Sequence, residues 1–184
     1  MKTALALFHA RGYDAVGVAE LGEAIGVKAP SLYAAFGSKK GLFERALARY
    51  LEDEGDFVAR TLAEAEPVAE VIPRLLRRAA EVYGDPAGLP GCLVLDGARN
   101  CSDPEVCALT GGLRGQGRAL LRERIARDYP DGDYPGLAEA LTDYVTVALT
   151  GLSGAARDGL AADALLRSAQ IAGDGFTAQL PKEG

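Results

Sequence analysis

Between residues 28 and 40 the chain gathers Lys28, Ser31, Tyr33, Ser38, Lys39 and Lys40, a set of ammonium and hydroxyl groups. All can donate hydrogen bonds to oxygen anions, which is the chemistry of holding phosphate. A second reactive set is the three cysteines, Cys92, Cys101 and Cys107. Their odd number, behind an N-terminus with no signal-peptide cleavage site, argues for reduced thiols rather than a disulfide framework. Cys92 follows Gly91 where a short helix is expected to begin, and a helix N-terminus favours the thiolate. The competing reading makes all three small buried hydrophobes. No metal site and no cofactor are expected. The single histidine, His9, reads as a packing or surface residue, and Cys101 and Cys107 lack zinc-ligand spacing.

The elements that must position these groups all read as helices. Alternating β-branched runs bounded by hairpin dipeptides are missing, so the fold class is all-α. A composition of 48% hydrophobic and 25% charged residues is that of an ordinary globular chain. No apolar run reaches the ~18 residues of a membrane span, and a cytoplasmic protein is expected. The first helix ends at Gly12. The second covers Val18–Ile25, with Val18, Leu21 and Ile25 on one face, and Gly26 supplies the positive φ that stops it. The third runs from about Ala29 to Gly37 with Pro30 in its first turn. Ser38 caps a long fourth helix through Leu42, Phe43, Ala46, Leu47, Tyr50 and Leu51, although Gly41 stands where a capping box would have Glu or Gln.

Further helices are expected over 68–83, with Pro73 kinking it, and over 104–128, where Gly111, Gly112, Gly115 and Gly117 weaken the first half. The loop YPDGDYPG then precedes two apolar terminal helices. Leu141, Val145, Leu149 and Leu152 on the first, and Leu165, Ala169, Ala172 and Phe176 on the second, are predicted to form a homodimer interface. The plainer alternative is that they close this chain's own core.

The second and third helices, joined at Gly26, form a helix-turn-helix. Leu32 and Phe36 should face the core with Leu21 and Ile25, leaving Lys28, Ala29, Ser31, Tyr33 and Ala34 outward. A helix so presented can enter a DNA major groove, and Ser38, Lys39 and Lys40 would hold a phosphate at the next helix N-terminus. Charge agrees. The chain carries −6 overall, yet within residues 1–50 Lys2, Arg11, Lys28, Lys39, Lys40, Arg45 and Arg49 outnumber Asp14, Glu20, Glu23 and Glu44 by three. Catalysis is disfavoured: GLSGA misses the nucleophile elbow by its last residue, GQG lacks the third glycine of a dinucleotide fingerprint, and no Walker loop is present. The alternative is a helical protein–protein interaction module whose helix-turn-helix does not bind DNA.

With these residues in hand, ALALFHARGYDAV, VAELGEAIGV and PSLYAAFGSKKGLF resemble the DNA-binding domain of the TetR/AcrR family of transcriptional regulators. The run Leu32, Tyr33, Phe36, Lys39 is the specific part. GCLVL and LTGLSGAARDGL resemble the regulatory domain of an AcrR-like branch. The resemblance implies a homodimeric repressor with a DNA-binding head at residues 1–47, Pro30 included in its recognition helix, and a regulatory and dimerisation domain at 48–184. It implies a partner in double-stranded operator DNA and a small-molecule inducer. For the inducer pocket the central helices offer Tyr83, Leu93, Leu95, Asp96, Arg114, Gln116 and Tyr144. It further implies that Cys92 serves as an oxidant or electrophile sensor, with Cys101 or Cys107 as resolving partner.

Three departures from the family pattern stand out. Val16 and Gly17 replace the usual Thr or Ser at the start of the second helix. Ala29, Ala34 and Ala35 can touch thymine methyls but cannot hydrogen-bond bases, so specificity is expected to rest on Lys28, Ser31 and DNA shape. The first helix has no basic arm before it, which suggests either that the natural chain starts earlier or that the arm is dispensable.

Overall fold

The structure is a computed structural model describing residues 1–53, 55 and 57–181. Among the described residues all regular structure is helical: α1 Lys2–Arg11, α2 Val18–Ile25, α3 Ala29–Phe36, α4 Lys39–Asp53, α5 Phe57–Leu62, α6 Val68–Tyr83, α7 Leu93–Asp96, α8 Pro104–Asp128, α9 Leu137–Arg157 and α10 Ala162–Ala178. The chain divides into two compact units. The first is Met1–Gly55 with Cys92–Leu113, and the second is Asp56–Gly91 with Arg114–Gly184. Residues 92–113 group with the N-terminal helices, where Leu93, Ala98 and Val106 are buried.

The first unit is organised by aromatic rings. Phe8 on α1 meets Phe43 on α4 edge-on at 5.0 Å, and Tyr13 lies 5.1 Å from Phe43. Rings in such tilted arrangements gain quadrupole attraction beyond simple burial. Leu21, Leu32, Leu42, Ala46 and Tyr50 complete the core, and His9 is buried edge-on against Tyr50. α2 starts at Gly17 without a side-chain cap, in keeping with the absent Thr or Ser, and stops at Gly26 in the left-handed region (φ 80°, ψ 29°).

In the second unit α6 packs against both α9 and α10. Gly173 on α10 permits this, since a Cβ there would stand only 3.0 Å from the Pro73 side chain. Most of the expected dimer residues take part in this packing. Leu141, Val145, Leu152, Leu165, Ala169 and Phe176 are at most 5% exposed within the chain, and only Leu149 and Ala172 keep partial exposure. The broad apolar stripes of α9 and α10 are occupied by α6. What remains apolar and outward is Val147 and Ile171, each 71% exposed, with Tyr144 and Leu166 beside them.

Candidate nucleic-acid interface

α3 is eight residues long, and its sidedness is set by one leucine. Leu32 is fully buried, whereas Lys28, Pro30, Ser31, Tyr33, Ala34 and Ala35 face solvent and Ala29 is half-buried. Lys28 is the N-cap residue, and its carbonyl accepts from the Ser31 and Leu32 amides at 2.9 and 3.2 Å. Ile25 and Phe36, expected in the core, are only partly buried: each ends a short helix at the edge of the unit, and the Arg45 guanidinium covers the Phe36 ring at 5.2 Å.

At the start of α4 the Gly41 amide donates to Ser38 Oγ at 3.0 Å, which is the expected N-cap bond. A glutamate at position 41 is excluded sterically, because any Cβ there would overlap the Phe36 carbonyl. The two lysines are engaged rather than free. Lys39 Nζ sits 4.1 Å from the centre of the Tyr13 ring. Lys40 Nζ donates to Glu105 and lies 3.7 Å from Glu44, and the bond to Glu105 is the main cause that raises its pKa.

Sequence reasoning missed the acidic side of this site. Tyr13 donates to Asp103 at 3.2 Å, and burial together with that carboxylate pushes the phenol up to about 12. Asp14 accepts from the Ser102 amide at 2.7 Å, chiefly for which its carboxyl lies below the usual range. Asp103 in turn accepts from the Glu105 and Val106 amides at 3.0 and 3.4 Å and so caps α8. The pair Asp103-Pro104 was the available signal, a capping residue followed by proline at the first helical position.

The other expected sites fare differently. Cys92 is the N-cap residue of α7, a helix of four residues, and is 8% exposed. Such a turn aligns few peptide dipoles, so the helix N-terminus invoked from the sequence is a weak one. The Cys101 thiol donates to Asp14 at 3.4 Å, and burial pushes it up to about 11. Cys107 donates to the Cys101 carbonyl at 3.0 Å. The seven inducer-pocket candidates are not gathered into one unit. Leu93, Leu95 and Asp96 belong to the first, and Tyr83, Arg114, Gln116 and Tyr144 to the second. Leu93 and Tyr83 are core residues, Asp96 pairs with Arg99 at 2.8 Å, and Tyr144 donates to the Ala172 carbonyl at 2.9 Å. A cleft of about 710 Å³ does open in the second unit, between α5 and α8, but its walls are Ala59, Leu62, Ala63, Leu120, Arg124 and Arg127 with their neighbours, none of the seven. Among the described residues no acidic, histidine or cysteine cluster is arranged to hold a metal, and no helix is long and apolar enough to cross a membrane.

Comparison with known proteins bears on this geometry. Residues 1–46 match the family described as bacterial regulatory proteins, tetR family. The chain is 36% identical over 174 residues, covering 95% of it and 85% of the relative, to the HTH-type transcriptional repressor BdcR of Escherichia coli K12. It is 28% identical to the repressor ComR of the same organism, covering 92% of this chain and 82% of that one. Among solved structures, a cysteine mutant of the TetR family regulator CifR, in complex with 26-base-pair operator DNA, superposes with a TM-score of 0.85 at 35% identity, covering 94% and 93% of the two chains. Identity at this level over nearly the full length, with a helix-turn-helix at the matched residues, decides the assignment: the chain belongs to the TetR family of transcriptional regulators.

Proposed function

We propose that this regulator is a homodimeric repressor that binds operator DNA through α3 and the start of α4. The observation that carries the reading is the sidedness of α3: Leu32 is fully buried while Lys28, Ser31, Tyr33 and Ala34 stand in solvent. On this reading Lys28, Ala29, Pro30, Ser31, Tyr33 and Ala34 meet the major groove and its flanking phosphates, and Ser38, Lys39 and Lys40 hold the backbone. The operator-bound CifR structure and the repressor relatives support it. The second subunit would cover Val147 and Ile171. Release from DNA by a small molecule, or by modification of Cys92, belongs to the same proposal, as do a cytoplasmic location and membership of an AcrR-like branch, the last resting on GCLVL and LTGLSGAARDGL.

The test is fluorescence anisotropy against a duplex selected by the protein from a random-sequence pool. Tyr33→Ala combined with Lys39→Ala should weaken binding at least tenfold while circular dichroism and dimer mass stay unchanged. Binding should also fall steeply with salt, as each neutralised phosphate releases about 0.9 counterion. Unchanged affinity in the double variant would remove the clamp from the site, and failure to select any duplex would favour a protein-binding role.

A further inference from the structure

We infer that Glu105, at the start of α8, competes with operator phosphate for the Lys40 ammonium and thereby sets the strength of the DNA clamp. This rests on the reading of α3 and α4 as the DNA-contacting helices. Lys40 and Glu105 are 65 residues apart in sequence, yet their side chains are bonded within the first unit. Lys40 lies in the first turn of α4, two residues after the capping Ser38, where a helix N-terminus and an ammonium together suit an oxygen anion. A glutamate carboxylate is such an anion, and it already occupies the lysine.

The contact is built rather than incidental. Glu105 itself is 69% exposed, so no packing holds its side chain. Its backbone is fixed instead. The Glu105 amide donates to Asp103 at 3.0 Å, Asp103 accepts the Tyr13 hydroxyl at 3.2 Å, and the neighbouring Ser102 amide donates to Asp14 at 2.7 Å. Two of these hydrogen bonds pin Ser102 and Asp103 to the segment after α1, and the third ties the Glu105 backbone to Asp103, from where the carboxylate reaches Lys40. Glu44 also faces Lys40, at 3.7 Å, but it rides on α4 with the lysine and stays beside it whichever anion Lys40 takes.

A phosphate arriving at α4 meets this carboxylate as a like charge. Lys40 has hydrogens for both anions, but its single positive charge cannot fully neutralise two. Binding therefore requires Glu105 to yield the ammonium, which lowers affinity. An exposed ion pair is weak, so the effect is a modest, tunable brake rather than a block.

Glu105→Gln removes the charge, keeps the size and alters no buried contact. Anisotropy titration of the full chain against the selected duplex should show Glu105→Gln binding about two- to fivefold more tightly than wild type at low salt. The plot of log affinity against log salt should steepen by up to about one ion, because wild-type Glu105 must take up a cation when it loses Lys40. In a Lys40→Met background the same substitution should change nothing. Equal or weaker binding by Glu105→Gln overturns the inference, as does a gain that persists without Lys40, which would mark general charge repulsion instead. Wild-type protein that binds no selected duplex would instead sink the DNA-binding reading itself, a result visible before any variant is made.

Discussion

Cys101 shows how far a side chain's chemistry depends on neighbours that its own sequence surroundings do not announce. As one of three cysteines it was a candidate resolving thiol, but in the fold it donates to Asp14 and is pushed up to about 11. At pH 8 little of it is thiolate, so iodoacetamide should alkylate Cys101 about ten- to a hundredfold more slowly than a free cysteine, as peptide mapping over a time course would reveal. Alkaline pH gives the converse result. The Tyr13 and Cys101 pKa values lie above those of the unfolded chain, so their contribution to stability is full below about pH 9 and is lost as pH climbs through about 11 and 12. Urea midpoints measured from pH 8 to 11.5 should fall over that window, and the fall should lessen in Tyr13→Phe. The Ser38 cap was legible because Ser38, Lys39 and Lys40 adjoin in sequence at a helix start. Asp14, Asp103 and Glu105 were not, since a pairing across 65 or more residues leaves no periodic trace.

Most helices could be read from apolar spacing and their stops. α2, α6 and α8 coincide with the expected ranges, because each carries a strong signal: glycine after α2, a break on either side of α6, and Asp-Pro before α8. α5 was missed; at six residues it is shorter than two turns and offers no full repeat to detect. In α8 the glycines do not break the helix, as the Asp103 cap at one end and the buried Leu121 and Ile125 near the other hold it. They nevertheless weaken it. Gly112 and Gly115 are exposed, and a Cβ at either would meet nothing within 4 Å. Gly112→Ala and Gly115→Ala should each stabilise the protein by about 1 kcal/mol, a gain that thermal unfolding followed by circular dichroism would register. The division between the two units falls at Leu113–Arg114, inside this glycine-rich stretch.

For the molecule as a whole, apolar helices at the chain end were recognisable, but which of their faces meets what was not. A helix that is apolar over more than one stripe does not say which stripe its own chain will claim. Here α6 takes Leu141, Val145, Leu165 and Phe176, and leaves Val147 and Ile171 outside. In the proposed dimer a second subunit would cover these two side chains, each 71% exposed. Val147→Arg should convert the dimer to a monomer in light scattering at micromolar concentration, with helix content unchanged. DNA affinity should drop with it, since one half-site is then bound at a time. By contrast, Leu141→Arg should unfold the second unit, as it would bury an unpaired charge in the core.

The missing side chain at position 41 has a geometric consequence. With the Phe36 carbonyl lying where a Cβ would be, the end of α3 and the start of α4 are in direct backbone contact. The two helices meet there with no side chain between them. On the proposed DNA-binding reading, the pitch of α3 in a groove and the seat of a phosphate on α4 would be set together. On that reading, a tilt of α4 would shift both contacts together.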